Sequence, residues 1–554
     1  MPEPAAEFDA LAEEFYAVWF RYHPDLALAA GVPGFGSALP AQDDDDLAAL
    51  SGWLEALILG LDEVDFASLD ADRQLDYRLM AGAARFEHRD LLDFDWRRRD
   101  PLQFLPLAEI HRLTLESPDD LQDQLASLLA AVPEYLRQAQ GQLRAGVELL
   151  AAPLVRAAAR DTESGRCYLR DLVRGPWLRR HCDGLAELER LAEQACDALV
   201  DYRECLLGEL APEARGALGC GAERLVTRLA ELHFMDVDPG ACRDLLAGAL
   251  ARVEGALALS SGRSDAVDVT GPGPGSGAGG DARRQPNLSP GVLCGDLARE
   301  IEASGLVSLP SARLRVRSWP ACPQSGRLQV DYLADREGGG TLYLPSAIGA
   351  GVGTGIGPGI ATGTGPGIAD PEDWVRSLCL AEGWGGSHLF TWSDPGRAQR
   401  MPRRLANGAS LGIGWSLYLG LRLAESAPGR RPAALRRQRD QLLLALLDLD
   451  LHCGLADEDD AARRLGTLGL VGPAADAELA RLAHAPGDAL AGALGWLLLE
   501  AAREQLERDQ GTELDERRFH DRLVSHGRVP LPLVLRHGLG DSLWGRVSSL
   551  VFGG

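Results

Sequence analysis

Residues 379–392 read CLAEGWGGSHLFTW, and this stretch decides how the rest of the chain is interpreted. It places a carboxylate, Glu382, and an imidazole, His388, six positions apart with glycines between them. Taken alone, it predicts a helix with a glycine kink that carries two polar side chains. The same two groups are also used by zinc hydrolases, although the H-E-x-x-H pattern of such enzymes does not occur in this chain.

Composition and charge exclude several classes of function. The chain has 554 residues, of which 46% are hydrophobic, so a sizeable core is expected. Its net charge of -25 repels phosphate backbones and anionic lipid surfaces, so neither a nucleic acid nor a membrane is an expected partner. All 56 basic residues are arginines, which excludes a Schiff-base lysine, a pyridoxal-phosphate enzyme and a Walker-type phosphate loop.

The cysteine pattern and the N-terminal stretch bear on the compartment. No two of the ten cysteines have the C-x-x-C spacing of zinc ribbons and thioredoxin-like sites, and scattered thiols are typical of a reducing compartment. The first residues, MPEPAAEFDALAEEF, lack the basic and apolar regions of a signal peptide. We therefore expect a cytoplasmic protein. The sequence leaves the oligomeric state open.

Periodicity along the chain predicts a mainly α-helical fold. Apolar residues recur at helical spacing in both halves, while RLRVRSW, RLQVDYL and GGGTLYLPS alternate like short strands. We predict a large multi-helix body with a groove and a small antiparallel β element. The predicted parts are an N-terminal helical part, a Gly/Pro/Ser-rich linker, a β-containing part, a Gly-rich loop and a C-terminal helical part, over residues 1–259, 260–290, 291–345, 346–370 and 371–554.

Six short motifs follow one another in the C-terminal half. They read AEGWGGSHLF, IGWSLYLG, LALLDLDLH, PGDALAG, RFHDRL and GRVPLPLV. In this order they resemble the bacterial domain-of-unknown-function family 885 (DUF885), which is similar to helical metallopeptidases of the carboxypeptidase Taq type. Two early stretches, FYAVWFRYHPDLALAAG and DRQLDYRLM, also resemble the family. The resemblance covers nearly the whole chain except two Gly-rich tracts, and it implies a metallopeptidase-like fold with zinc as the expected cofactor.

The departures from the family pattern fall on its expected metal ligands. The family motif H-E-x-x-P-G-H-H-x-Q places its first histidine at Ala381 and its base at Glu382, and its paired histidines at Ser387 and His388. The glutamate of the family motif E-G-W falls on Ile413. Alanine and isoleucine cannot donate a lone pair to a metal. We therefore predict that zinc is lost and that no metal site or cofactor remains.

Nine residues are carried forward as site candidates. Glu382 is a candidate general base, and His388 is a candidate acid or lone ligand. The candidates for lining or supporting a cleft are Ser387, Trp415, Tyr418, Asp448, His452, His520 and Asp521. Each also has a simpler structural interpretation: a carboxylate paired with an arginine, a hydrogen-bonded histidine, a core aromatic, or a pair on one helix face.

Three hypotheses of function follow. The first is a diverged, zinc-free member of a metallopeptidase-like family whose cleft binds a peptide or a small molecule. The second is an active hydrolase with a rebuilt site around Glu382 and His388, helped by Asp448, His452 or His520. The third is a structural or partner-binding protein whose cleft has closed.

Overall fold

The computed structural model describes residues 4–264, 289–318, 331–335, 338–344 and 371–553. Within these ranges the protein is mainly α-helical, as predicted. The predicted Gly-rich loop over 346–370 lies outside the described residues, and so does most of the predicted linker over 260–290. The division into five parts stays a prediction.

In the described residues, twelve α-helices precede the strands. Aspartates begin two of them, since Asp43 and Asp70 accept hydrogen bonds from main-chain N–H groups of the first turn. The helices are α1 Pro4–Trp19, α2 Pro24–Ala29, α3 Asp44–Glu63, α4 Ala71–Asp93, α5 Leu107–Glu116, α6 Leu121–Ala145, α7 Ala152–Arg174, α8 Leu178–His181, α9 Leu185–Glu204, α10 Ala222–Leu232, α11 Pro239–Ser264 and α12 Pro290–Ser304.

A small three-stranded sheet lies between the two helical parts. Its strands are β1 Arg313–Ser318, β2 Asp331–Asp335 and β3 Gly339–Leu344, in the order β1-β3-β2. β2 pairs with β3 antiparallel, but β1 pairs with β3 parallel. The prediction of an antiparallel element was therefore wrong for one of the two pairings. Alternation along a strand identifies its buried face but does not fix the direction of its neighbour.

Twelve further α-helices lie in the described residues after the sheet, and they carry all the candidate site residues. The helices are α13 Pro371–Glu382, α14 Ser387–Trp392, α15 Pro395–Ala398, α16 Met401–Arg404, α17 Ala409–Ser426, α18 Arg431–His452, α19 Glu458–Thr467, α20 Pro473–His484, α21 Asp488–Gln510, α22 Glu516–Val524, α23 Leu531–Val534 and α24 Asp541–Phe552.

The largest hydrophobic core joins the two helical parts. It contains Leu75 and Leu79 of α4 together with residues of α17, α18 and α21. Helices α17 and α21 approach closely because glycines face each other: a Cβ atom at Gly495 would lie 1.9 Å from the Ser410 carbonyl oxygen, and one at Gly414 would lie 2.6 Å from the Trp496 nitrogen. Backbone contact at these two points fixes the position of the helix that carries Ile413.

Candidate functional site

The glycines of the opening stretch break the helix instead of kinking it. Helix α13 ends at Glu382 and α14 begins at Ser387. Between them the chain folds back so tightly that a Cβ atom at Gly386 would lie 1.6 Å from the Ala381 carbonyl oxygen. Only glycine fits at this position. The turn brings Ser387 back against Glu382.

Glu382, Ser387 and Arg528 form one hydrogen-bonded cluster, which we call the Glu382 cluster. The Ser387 hydroxyl donates to Glu382 Oε2. Arg528 Nη1 donates to Ser387 Oγ at 3.1 Å and lies 3.4 Å from the same carboxylate oxygen. The Glu382 side chain is 12% exposed and that of Arg528 is 42% exposed. The carboxylate that the sequence predicted as a base is thus paired with a partly exposed guanidinium.

His388 lies beside this cluster in the chain but has different partners. Its Nε2–H group donates to the Ala312 carbonyl at 3.0 Å, so Nδ1 accepts from the Tyr332 hydroxyl at 2.9 Å. Trp392 Nε1 donates to the same hydroxyl oxygen at 2.8 Å. Burial lowers the pKa of His388 to about 4, which leaves the ring neutral at pH 7. Both ring nitrogens of His388 are therefore engaged.

Asp448 and His452 come together on α18, as their spacing predicts, and both are fully buried. Asp448 accepts main-chain hydrogen bonds from Gly487 and Leu490 at 3.0 and 3.1 Å, which caps the start of α21. The Cys220 main-chain N–H donates to His452 Nδ1 at 3.0 Å. His452 Nε2 lies 3.1 Å from the Leu482 carbonyl oxygen and 3.3 Å from Asp448.

His520 repeats the arrangement of His388. Its Nδ1–H group donates to the Leu306 carbonyl at 2.8 Å, and its Nε2 accepts from the Tyr418 hydroxyl at 2.9 Å. Burial is the largest cause that lowers the pKa of His520. Trp415 and Tyr418 are fully buried beside it. The neighbouring Asp521 fixes Ser308 by accepting from its main-chain N–H at 2.8 Å and from its hydroxyl at 2.7 Å.

The residues present do not fit a zinc ion. Ala381 and Ile413 offer no lone pair, and Ile413 lies against Gly492, where a Cβ atom would come within 2.7 Å of the isoleucine side chain. His388 has no free ring nitrogen, since carbonyl and hydroxyl partners use both. Within the described ranges, no group of three histidine, cysteine, aspartate or glutamate side chains is arranged to hold a metal.

The structure thus separates the candidates into four groups. Glu382 and Ser387 meet beside Arg528, and His388 meets Tyr332 of the sheet. Asp448 and His452 meet at the start of α21, and His520 meets Tyr418 in the core. Sequence reasoning missed Arg528, which lies in GRVPLPLV at a position that the family pattern G-x-x-P-L leaves open. It also missed Tyr332, the partner of His388. Trp392 could have been noticed, because it lies four residues after His388 on the same helix.

Comparison with known families agrees with the motif order. The sequence model of DUF885, a bacterial protein family of unknown function, matches residues 370–537. This span contains all six motifs and is less than a third of the chain. The DUF885 match thus falls on the segment that carries the Glu382 cluster.

Two solved structures share the fold over nearly the whole chain. One is a protein from Shewanella oneidensis assigned as a lipoprotein of unknown function, with 14% identity and a TM-score of 0.69 over 96% of this chain and 99% of that one. The other, from Colwellia psychrerythraea, carries the same lipoprotein assignment, with 16% identity and a TM-score of 0.71 over 97% of this chain and 99% of that one. At these identities the likeness concerns the fold alone.

Two further comparisons gave negative results. No curated protein matches the chain. Among the helices in the described ranges, none is long and apolar enough to cross a membrane.

Proposed function

We propose that this protein is a zinc-free relative of the metallopeptidase-like proteins that its motifs resemble, and that it binds a peptide or a small molecule at the Glu382 cluster without hydrolysing it. The observation that carries the proposal is the pairing of the family's base with Arg528 and Ser387. Two donors hold one oxygen of this carboxylate, and Ala381 and Ile413 cannot hold a zinc ion that would activate a water for the other oxygen.

The neighbouring groups support binding more than hydrolysis. A catalytic zinc ion acts by lowering the pKa of its water and by polarising the carbonyl. The Arg528 guanidinium carries a positive charge but cannot coordinate water or give up a proton at neutral pH. His388, which the rebuilt-hydrolase hypothesis needs, is neutral and has both nitrogens engaged. That hypothesis therefore has less support.

The exposure of Arg528 favours an accessible Glu382 cluster over the closed cleft of the third hypothesis. Trp384 packs edge-on against His388 with ring centroids 4.7 Å apart, and Ile413 is buried against α21. Neither covers the cluster completely, since 42% of the Arg528 side chain remains exposed. A ligand can therefore reach the guanidinium from solvent.

The test combines metal analysis with a peptide-hydrolysis assay on the purified full-length protein. We expect far less than one zinc per chain after expression in zinc-supplemented medium. We also expect no chelator-sensitive hydrolysis of fluorogenic peptides. Glu382→Gln is the matched variant, because its amide oxygen still accepts hydrogen bonds but cannot act as a base. Near-stoichiometric zinc, together with chelator-sensitive turnover that Glu382→Gln abolishes, would overturn the proposal.

The cytoplasmic location is part of the same proposal. The described cysteines are all free thiols, which suits a reducing compartment. The lipoprotein assignment of the two structural neighbours points to export of those proteins. Cell fractionation of the native host tests the location. Recovery of the protein with the membrane or exported fraction would contradict a cytoplasmic location.

A further inference from the structure

We infer that the Glu382 cluster recognises an α-amino group together with the carbonyl or carboxylate oxygen next to it, as found in a free amino acid or at a peptide N-terminus. The inference rests on the proposed binding function and names its ligand class. In this arrangement Glu382 receives the ammonium group and Arg528 donates to the oxygen.

The first observation is that two glycines leave space for the Arg528 side chain. Gly408 and Gly412 lie one helical turn apart and face its side chain. A Cβ atom at Gly412 would lie 2.6 Å from Nε and 3.0 Å from Nη2, and one at Gly408 would lie 2.5 Å from Cγ. The two glycines make room for the arginine, and Ser387 and Glu382 hold its Nη1. A side chain larger than hydrogen at either glycine would therefore displace Arg528.

The second observation is that both charged groups keep unused capacity. In the part of the chain that the structure describes, Arg528 hydrogen-bonds only through Nη1, which leaves Nη2 available. Among the described residues, the hydrogen bonds to Glu382 are made by Oε2, which leaves Oε1 available as an acceptor. The cluster therefore has one donor and one acceptor that these contacts leave unused.

Charge balance narrows the ligand class. Glu382 and Arg528 are opposite charges whose nearest atoms are 3.4 Å apart, so the pair has no net charge. A simple anion would be attracted by Arg528 but repelled by Glu382 and by a chain with a net charge of -25. A ligand with an ammonium group next to an oxygen acceptor matches both members of the pair. Complementary charge in such a site supplies specificity.

The test is a calorimetric titration of the full-length protein with four probes: L-alanine, N-acetyl-L-alanine, tri-alanine and N-acetyl-tri-alanine. We expect acetylation to weaken binding about tenfold or more, because it removes the charge that Glu382 pairs with. Binding of L-alanine would identify a free amino acid as the ligand, and binding of tri-alanine alone would identify a peptide N-terminus.

Three variants connect the binding to the cluster. Glu382→Gln and Arg528→Gln should each weaken the preferred probe about tenfold or more. Gly412→Ala should also weaken binding, although it keeps every polar group of the cluster. Its new methyl group would meet the Arg528 guanidinium, which can move aside and so leave its binding position. Gly466→Ala is the control, since a Cβ atom there meets nothing within 4 Å. The melting temperature of each variant shows whether the fold is kept.

The outcomes separate this inference from the proposed function. Equal binding of free and acetylated probes, or unchanged binding in Arg528→Gln and Gly412→Ala, would overturn the inference but leave a binding protein. Absence of binding for all four probes would overturn the inference as well. Zinc-dependent turnover would overturn the proposed function, whatever the affinities.

Discussion

Ile413 lies directly against Gly492 across the interface between α17 and α21, where a Cβ atom at Gly492 would come within 2.7 Å of the isoleucine Cβ and Cγ2 atoms. The apolar side chain of Ile413 and the missing side chain of Gly492 allow this close helix packing. A glutamate at Ile413, which the resemblance to DUF885 predicts, would not by itself restore a ligand site, because Ala381 offers no lone pair.

This contact predicts that Gly492→Ala destabilises the protein. The methyl group would overlap an isoleucine on a helix whose backbone is fixed by Gly414, so we expect a cost of about 1–3 kcal/mol. Thermal unfolding measures it. Gly466→Ala in α19 is the control and should be neutral or stabilising by up to about 1 kcal/mol, because it has free space and gains helix propensity. Equal stability of the two variants would contradict the packing argument.

Asp448→Asn should be costly although it keeps the shape of the side chain. Asp448 accepts from two main-chain N–H groups in a fully buried site, and an asparagine offers one oxygen and turns an NH₂ group toward the other donor. We expect about 1–3 kcal/mol of destabilisation by chemical denaturation.

The matched control for Asp448 is Asp457→Asn. Asp457 caps α19 with one hydrogen bond to the Asp460 main-chain N–H, in an exposed position where asparagine caps equally well. Asp457→Asn should change the free energy of unfolding by no more than about 0.5 kcal/mol. A cost as large as that of Asp448→Asn would show that burial and the second donor do not matter.

Tyr418→Phe should leave His520 with an unsatisfied nitrogen in the core. Both residues are fully buried, so no water replaces the lost hydroxyl, and we expect a loss of about 1–3 kcal/mol in unfolding free energy. Tyr77→Phe removes a hydroxyl that donates to the Leu61 carbonyl at 3.0 Å in a partly exposed position. Tyr77→Phe should therefore cost less than about 1 kcal/mol of unfolding free energy. A larger cost for Tyr77→Phe than for Tyr418→Phe would contradict the prediction.

Protonation of His388 should make the folded protein less stable in mild acid. Its folded-state pKa of about 4 lies below the ordinary value of 6.5, so the unfolded chain binds a proton between these values and the folded protein does not. This contribution to stability is complete above about pH 6.5 and is lost as the pH falls toward 4, with a total of about 3 kcal/mol.

The measurement is the unfolding midpoint of wild type and His388→Gln from pH 7 to pH 4. Glutamine keeps a donor for the Ala312 carbonyl but does not titrate, so its stability should fall less steeply over this range. Other buried histidines, such as His526, titrate in both proteins, so the difference between the curves isolates His388. His181→Gln, at an exposed position, is the control. Parallel curves for wild type and His388→Gln would contradict the prediction.

Local spacing explains which parts of the site were accessible from the sequence. The pairing of Asp448 with His452 follows from their spacing on one helix. The glycines before Ser387 predicted a kink, whereas the full break depends on the close approach of Gly386 to the Ala381 carbonyl. The arginine expected near Glu382 could not be named, because Arg528 is 146 residues further along the chain. The partner of His388 comes from β2 and lies 56 residues earlier in the chain, so local spacing could not identify it.

By itself, the sequence determined the helical class, the lack of ligand-capable side chains at Ala381 and Ile413, and the pairing of Asp448 with His452 within one helix. These depend on residue chemistry and on contacts between near neighbours in the chain. Only the tertiary structure decided that Arg528 holds Glu382, that the candidate histidines have both nitrogens occupied, and that β1 runs parallel to β3. Each of these depends on which distant segments meet, and that is set by packing of the whole core.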